Sequence, residues 1–297
     1  YVTQSYKYGE VITLPSNPSK IWNTFRGWND KTDGSGTSYV TGTAVRPANG
    51  ITMNVYSQWI PVPISLSGVS DIAATYGTPL VANDNNITAS GGSGNYVYSI
   101  SPSLPTGMTF SADGKFSGTP LTVAGPTAYT VTGLDSASGA TATKTVTVSV
   151  AKRTLNVTGV ECTTKLYDGT DSLSASVIGA IAFSGKLTGD NVSVTTTGGT
   201  FNSKNVASAT TITLNGLTLS GTDKDKYQLT SSTAVLAGNI HRKIFKVKID
   251  DAAKKVGIAL PVFGVHEVID EGQSSALVNG DTIDSVAQYN LTTTANA

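Results

Sequence analysis

Apolar and polar residues alternate with a period of two along much of this chain, which is the pattern of strands that bury one face. The alternation is clearest at Thr143–Val150. It recurs at Thr211–Leu214 and Leu217–Leu219, on either side of an Asn215–Gly216 pair. Because Asn-Gly is the preferred pair of two-residue hairpin turns, the sequence predicts a hairpin at this point.

Glycine-rich segments separate the predicted strands at short intervals. They lie at Gly91–Gly94, Asp113–Gly114 and Gly198–Gly199. Short strands with turn signals at this spacing are typical of β-sandwiches. Helical periodicity is nearly absent and predicts only two short helical stretches, Pro18–Trp22 and Asp223–Tyr227. The fold class is therefore predicted to be all-β.

Three segments mark candidate domain boundaries, because in each a strand-like run ends in prolines or basic residues. They are Gln58–Pro63, Val150–Arg153 and Ile240–Lys243. The last two are followed at once by new strand-like runs, so the linkers are very short and predict tandem small β domains in an elongated array. The predicted domains are 1–59, 60–151, 152–242 and 243–297.

The first domain carries an ordered set of motifs. They are Tyr8-Gly9-Glu10, Leu14-Pro15, Phe25-Arg26-Gly27-Trp28-Asn29, Asp33-Gly34-Ser35-Gly36-Thr37 and Tyr56-Ser57-Gln58-Trp59. This set resembles the internalin B-type repeat, also called the Listeria–Bacteroides repeat. The resemblance implies a β-grasp-like module of bacterial surface proteins. Trp28 and Trp59 are the large apolar side chains expected to anchor its small core.

The second and third domains carry motifs of two further families. Residues 64–151 contain Gly91-Gly92-Ser93-Gly94-Asn95-Tyr96-Val97-Tyr98-Ser99, Leu104-Pro105-Thr106-Gly107-Met108-Thr109-Phe110 and Gly114-Lys115-Phe116-Ser117-Gly118-Thr119-Pro120. They resemble an Ig-like family of bacterial surface proteins, which implies a β-sandwich. Residues 152–242 contain Lys165-Leu166-Tyr167-Asp168-Gly169-Thr170, Phe201-Asn202-Ser203-Lys204-Asn205-Val206 and Tyr227-Gln228-Leu229, and resemble the YDG family of bacterial surface repeats.

The last predicted domain, 243–297, resembles part of an MBG domain through Leu277-Val278-Asn279-Gly280-Asp281-Thr282. Members of that family continue through further strands, so we expect a unit that is either truncated or completed by another chain. An incomplete sheet exposes unpaired strand edges. The sequence therefore also predicts self-association through this domain.

Charge and cysteine usage narrow the class of protein. Charged residues make up 13% of the chain, and 20 basic residues balance 20 acidic ones, which argues against nucleic-acid binding. Threonine and serine make up about a quarter of the sequence, and threonine suits strands. The single cysteine excludes an internal disulfide and favours a bacterial over a eukaryotic exported protein. No apolar run is long enough for a membrane span.

The sequence offers no catalytic constellation, and we predict that this segment is not an enzyme. The two histidines, His241 and His266, fall in different predicted domains. Cys162 lies in a strand-like run without the basic neighbours that activate a thiol, and its alternative role is inert packing. Paired carboxylates of the glycosidase type stay open, but no aspartate or glutamate has a supporting pattern.

Calcium is the metal with the best candidates. Asp30 and Asp33 lie on one turn, and Asp223 and Asp225 lie on another. Calcium takes six to eight oxygen ligands, and each turn supplies two carboxylates. The alternative is that these residues only shape their turns, so no cofactor is predicted and calcium remains the exception to test.

A covalent lysine cross-link is a second candidate feature. Bacterial surface sandwiches sometimes join a lysine to an asparagine or aspartate, and Lys165 and Lys204 are the candidate lysines. The alternative is that both are exposed surface lysines.

Exposed aromatic residues are the remaining ligand candidates. They are Trp22 in the first domain and Tyr96, Tyr98 and Tyr129 in the second. Tyr96 and Tyr98 share one face of a predicted strand, which is the arrangement of core residues.

The sequence thus predicts a structural or adhesive segment of a secreted protein on the bacterial cell surface, acting as stalk or fibre modules. Its partners would be the other modules of the same chain and a protein or glycan of a host or neighbouring cell. The alternative is an accessory glycan-binding region of a secreted polysaccharide-active enzyme.

Overall fold

The protein is built almost entirely of short β-strands. The computed structural model describes residues 9–15, 18–46, 53–81, 85–244, 246–249 and 265–268. Within these residues helical structure is confined to one four-residue α-helix and one short 3₁₀ turn, so the predicted all-β class is confirmed. The chain divides into two compact units, 1–153 and 154–297. The His266 backbone is described, but most of the predicted domain 243–297 lies outside the described residues.

The first unit contains thirteen of the described strands. They are β1 (Ile12–Thr13), β2 (Asn23–Asn29), β3 (Ser38–Tyr39), β4 (Ala44–Val45), β5 (Tyr56–Pro61), β6 (Ile64–Gly68), β7 (Asp71–Thr75), β8 (Ile87–Gly91), β9 (Tyr96–Ser101), β10 (Met108–Phe110), β11 (Phe116–Gly118), β12 (Ala124–Asp135) and β13 (Thr141–Ala151).

Residues up to Pro61 form the antiparallel sheet β3-β2-β5 and the small pair β1-β4. Phe25 lies between the two predicted anchors, with its ring centroid 5.5 Å from that of Trp28 and 5.2 Å from that of Trp59, both in edge-on geometry. Edge-on aromatic pairs add to the gain from burying the rings. The predicted helical stretch at Pro18–Trp22 is wrong, because Lys20 bridges back to Asn23 in a turn.

Residues 62–151 form a sandwich-like arrangement whose main sheet has the strand order β7-β13-β12-β9. The alternation predicted at Thr143–Val150 falls within β13, and Val146, Val148 and Val150 are fully buried. Strand β7 runs parallel to β13, whereas β6, just before it in the chain, pairs with β8 of another sheet. The first two strands of this module, β6 and β7, therefore belong to different sheets.

The remaining described strands and helix follow β13. They are β14 (Arg153–Val160), β15 (Thr164–Leu166), β16 (Ser172–Ser174), α1 (Ala175–Ile178), β17 (Ile181–Ser184), β18 (Ser193–Thr195), β19 (Gly198–Phe201), β20 (Thr211–Asn215), β21 (Thr218–Ser220), the 3₁₀ turn Lys224–Lys226, β22 (Tyr227–Leu229), β23 (Ala234–Ala237), β24 (Asn239–His241), β25 (Lys246–Ile249) and β26 (Val265–Val268).

In the second unit, too, the first two strands belong to different sheets. Its sheets have the orders β16-β19-β20-β23, β17-β14-β22, β15-β24, β18-β21 and β25-β26. Strand β14 pairs with β17, while β15, next along the chain, runs parallel to β24. The core is built around Ile212, Leu214 and Ile178, which are fully buried, and it also contains the aromatic residues Phe201 and Tyr227. The 3₁₀ turn confirms helical structure at the predicted position 223–227.

The predicted hairpin at Asn215–Gly216 is wrong. Strand β20 pairs with β19 and β23, whereas β21 pairs with β18, so the pair joins strands of two different sheets. The Asn215 carbonyl accepts a hydrogen bond from the Thr197 backbone N–H at 3.0 Å. A Cβ on Gly216 would come within 2.6 Å of the Thr197 side chain, so this glycine permits a corner between sheets.

The predicted break at Gly198–Gly199 is also wrong, because both glycines lie within β19. A Cβ on Gly199 would lie 2.6 Å from the Ile212 side chain. This glycine therefore allows the neighbouring strand's isoleucine to pack against the backbone, and it does not form a turn.

Candidate functional site

The turn that carries Asp30 and Asp33 is organised around a buried neighbour, Asn29. The Asn29 Oδ1 accepts hydrogen bonds from the backbone N–H groups of Lys31 (2.9 Å) and Gly36 (3.1 Å). Its Nδ2 donates to the carbonyls of Gly34 and Gly36. One buried amide thus satisfies backbone groups on both sides of the turn, which is the usual condition for burying a polar side chain.

Both predicted calcium-binding aspartates of this turn already accept hydrogen bonds. The Asp30 Oδ1 accepts from the Thr37 backbone N–H at 2.8 Å. The Asp33 Oδ1 accepts from the backbone N–H and hydroxyl of Ser35, which lower the pKa of this carboxyl. The geometry is that of a self-contained turn, and calcium binding here remains a prediction.

The two predicted calcium ligands of the second pair have different surroundings. Asp223 forms an ion pair with Lys226, with 2.7 Å between Oδ1 and Nζ, and it accepts the Asn191 backbone N–H at 2.8 Å. Both interactions lower the pKa of Asp223. Asp225 is exposed on the 3₁₀ turn. No group of three or more His, Cys, Asp or Glu side chains is placed to hold a metal among the residues the structure describes.

Lys165, a candidate for the covalent cross-link, is far more buried than its alternative role as a surface lysine predicts. Only 7% of its side chain is exposed, so the interpretation as a surface lysine is wrong for Lys165. Its Nζ lies 2.6 Å from the Asp168 Oδ1 and donates to the Ser172 carbonyl at 2.8 Å. It also donates to the hydroxyl and carbonyl of Thr170. Lys204 is exposed, as that interpretation expects.

The Lys165 ammonium group therefore holds the YDG motif together through its contacts with Asp168 and Thr170. Burial raises the pKa of the Asp168 carboxyl, but hydrogen bonds from Lys165 and Thr170 outweigh it, and the pKa lies below its ordinary value. The Asp168 carboxyl is therefore ionised at neutral pH, whereas condensation to an amide consumes the neutral acid. The covalent cross-link remains a prediction, which intact mass measurement tests.

Asp135 is a buried carboxylate that the sequence did not single out. Its two oxygens accept hydrogen bonds from the Ser93 hydroxyl (2.6 Å), the Ser93 backbone N–H and the backbone N–H groups of Ala137 and Ser138. Burial raises its pKa, but these donors outweigh burial and hold the pKa well below its ordinary value. Gly92 makes room for it, because a Cβ there would lie 2.1 Å from the Asp135 Oδ2.

The sequence signal for this cluster is the Gly91–Gly94 segment, which is predicted as a break between strands and as part of the Ig-like motif. Strand β8 ends there and the chain wraps around the Asp135 carboxylate. Asp135 ends strand β12 and lies 42 residues from Ser93 along the chain, so the sequence alone does not indicate that the two residues meet.

The aromatic candidates divide by burial. Tyr98 and Tyr129 are core residues, with 8% and 5% exposed, and burial raises the pKa of Tyr98. Tyr96 is half-buried and donates its hydroxyl to the Gly91 carbonyl. Trp22 is 46% exposed and has a φ of 60°, a left-handed conformation that bulky residues rarely adopt. Its role as a ligand contact remains a prediction.

Of the three catalytic candidates, Cys162 and His241 have described side chains. Cys162 is half-buried and donates its thiol to the Thr164 carbonyl at 3.2 Å. His241 ends β24 on the surface, and nothing is described of the His266 side chain. No helix within the described residues has the length and apolar character needed to cross a membrane.

Comparison with known families identifies three modules in order along the chain. Residues 1–54 match the Listeria-Bacteroides repeat domain, residues 62–151 match the family described as Putative Ig domain, and residues 150–234 match the YDG domain. The resemblances predicted for residues 1–59, 64–151 and 152–242 are confirmed, and the MBG resemblance of 243–297 stays a prediction. Modules of the first two types are typical of surface proteins that are not catalytic.

Comparison with individual proteins adds little. No curated protein matches the chain. Two solved structures of an endo-fucoidan hydrolase from glycoside hydrolase family 107 align with it at 16% and 15% identity, with TM-scores of 0.25 and 0.23. Each alignment covers 80% of this chain, which spans 39% of the length of the hydrolase. Overlap at this level carries no argument about fold or activity.

Proposed function

We propose that this chain is a structural segment of a secreted bacterial surface protein, whose tandem β modules space or carry an adhesive part. The observation that carries the proposal is the succession of three surface-type modules, matched over 1–54, 62–151 and 150–234. Consecutive modules leave little chain between them, as expected of a spacer and not of domains on flexible tethers.

The side-chain clusters support this role, because they stabilise small modules that have no disulfide. Asp135 holds the Gly91–Gly94 turn, Lys165 holds the YDG motif, and Tyr227 donates its hydroxyl to Asp190 while accepting the Leu187 backbone N–H at 3.1 Å. Small domains with modest cores need such additional interactions.

Small-angle X-ray scattering on the purified segment, with intact mass on the same sample, tests the proposal. We expect a maximum dimension close to the summed lengths of the successive modules and a mass equal to that of the sequence. A compact particle would contradict a spacer role. A mass deficit of one water or one ammonia would show that the lysine cross-link forms.

The adhesive part of the proposal has its own test. Beads coated with the segment, with and without the flanking regions of its parent protein, are scored for attachment to bacterial and animal cells. We expect the flanking regions to determine the target and the segment alone to attach weakly. Strong, target-specific attachment by the segment alone would replace the spacer role with a direct adhesive one.

A further inference from the structure

The outer face of the sheet β7-β13-β12-β9 carries an ordered set of hydroxyl groups. Cross-strand register places Ser101, Thr130 and Thr145 side by side, and places Ser99, Thr132 and Thr143 side by side in the next row. These six residues, named here the hydroxyl face, alternate with core residues such as Tyr129, Val131 and Val146. Five of the six are exposed, and Thr132 is half-buried.

The hydroxyl face differs from the other hydroxyl-rich strand pairs of this protein. Elsewhere, facing hydroxyls bond to one another at 2.8–2.9 Å. These pairs are Ser65–Ser90, Ser67–Thr88, Thr109–Ser117, Ser193–Ser220 and Thr195–Thr218. The six side chains of the hydroxyl face make no hydrogen bond with any other residue that the structure describes. Their donors and acceptors are therefore available to a partner.

The spacing and surroundings of the hydroxyl face define the chemistry of that partner. Neighbouring strands lie about 4.8 Å apart and residues two apart on a strand lie about 7 Å apart, so the hydroxyls form a regular grid. Val97 and Leu134, exposed by 46% and 39%, pair in the next row together with Thr141. The grid thus has an apolar margin, and neither of its two rows contains a charged residue.

We propose that the hydroxyl face binds an uncharged polysaccharide chain. Sugar rings present hydroxyls at their edges, which match the grid, and C–H groups on their faces, which match Val97 and Leu134. A sulfated or uronic polymer would need lysine or arginine partners, and the two rows offer none. The inference adds a ligand to the proposed surface segment and rests on its extracellular placement.

The test compares the parent segment with a variant that removes hydroxyls but keeps β-branched side chains, Thr130→Val/Thr132→Val/Thr143→Val/Thr145→Val. Both proteins are mixed with washed cellulose, chitin and starch granules, and with carrageenan as a charged polymer. Depletion from solution gives the affinity. Ser67→Ala/Thr88→Val is the matched control, because it removes two hydroxyls of the same module that already satisfy each other. Circular dichroism and melting temperature check that each variant folds.

We expect the parent and the control to bind at least one uncharged polymer and the fourfold variant to bind at least about tenfold more weakly. If the fourfold variant aggregates, Thr132→Lys supplies the same loss by placing a charge in the grid. Binding by no uncharged polymer, equal binding by parent and variant, or binding to carrageenan alone would each overturn the inference. None of these results would alter the scattering profile that tests the spacer role.

Discussion

At Asp135, the backbone and one serine perform the task that a metal or an arginine performs in many proteins, since they stabilise a buried negative charge. Four donors from Ser93, Ala137 and Ser138 converge on its two oxygens. Hydrogen bonds to an ionised acceptor are stronger than neutral ones. The cluster is therefore expected to fix the turn only while the carboxyl is ionised.

This gives a prediction about pH. Because the folded-state pKa of Asp135 lies below its unfolded value, its stabilisation is fully present above about pH 4 and is lost as pH falls through the folded pKa. Asp135→Asn should lower the melting temperature of its module at pH 7, with a difference that shrinks on acidification. Thermal melts from pH 7 to pH 2 measure this.

Asp71→Asn is the control for Asp135, because Asp71 is an exposed aspartate of the same sheet. It should leave the melting temperature nearly unchanged at pH 7. A constant gap between parent and Asp135→Asn across the whole pH range would show that the charge of Asp135 is irrelevant.

Alanine substitutions at two glycines of the Gly91–Gly94 turn separate the steric effect of an added Cβ from its effect on backbone conformation. Gly92 and Gly94 both have positive φ, 57° and 89°. An added Cβ meets the Asp135 carboxylate at Gly92 but meets nothing within 4 Å at Gly94. We expect Gly94→Ala to cost about 1–2 kcal/mol from backbone strain alone, and Gly92→Ala to cost more than about 3 kcal/mol. Denaturant unfolding measures both, and equal costs would contradict the proposed fit.

Individual residues are where the sequence predicted least. Trp28 and Trp59, predicted as core anchors because large aromatic side chains favour burial, are half-buried and pack against Phe25. The burial of Lys165 and of Asp135 was not recognisable, since charged residues are almost always exposed. Both side chains are buried because their hydrogen-bonding partners, which the sequence does not identify, surround them in the folded protein.

At the scale of strands, Lys165 joins two elements that belong to different sheets. It lies on β15, which pairs with β24, and its Nζ donates to the carbonyl of Ser172 at the start of β16, which pairs with β19. The loop between the two strands carries Asp168 and Thr170, which bind the same ammonium group. One side chain thereby sets the path of the chain from one sheet to the next.

We expect Lys165→Met to destabilise the second unit by about 1–2 kcal/mol, because it leaves the half-exposed Asp168 carboxylate and the carbonyl groups of Thr170 and Ser172 without their donor. Lys204→Met, the exposed control, should change stability by less than about 0.5 kcal/mol. Urea unfolding of each variant gives the free energies. Equal small effects would show that the ammonium group is solvated and that its contacts contribute little.

Strand positions were predictable where one face is buried, and connections were not. Alternation placed β13 correctly because buried valines recur at every second residue. Local turn chemistry misassigned Asn215–Gly216, since a glycine with positive φ suits both a hairpin and a corner. The partner strands, which decide between the two, are distant in sequence.

At the scale of the whole chain, the two compact units give a prediction about cooperativity. They separate near Arg153, so we expect at least two transitions in differential scanning calorimetry. Asp135→Asn should lower one transition and Lys165→Met the other, since Asp135 belongs to the first unit and Lys165 to the second. A single transition that both variants lower equally would show that the units unfold as one.

Module types were the most predictable property of the molecule. Ordered motifs such as Tyr167-Asp168-Gly169 identify a family because they combine turn residues with core residues at fixed spacing. The hydroxyl face was beyond sequence reasoning. Serine and threonine are spread along the entire chain, and only the register of three strands brings six of them into rows.

The parallel pairs β7·β13 and β15·β24 have a mechanical consequence. In each pair one strand lies near the beginning of its module and the other near the end. Tension along the polypeptide therefore draws the two strands past each other lengthwise, and the hydrogen bonds between them carry the load in shear and together, whereas an antiparallel hairpin opens one bond at a time. Each of these modules is therefore expected to resist extension best when it is pulled from its two ends.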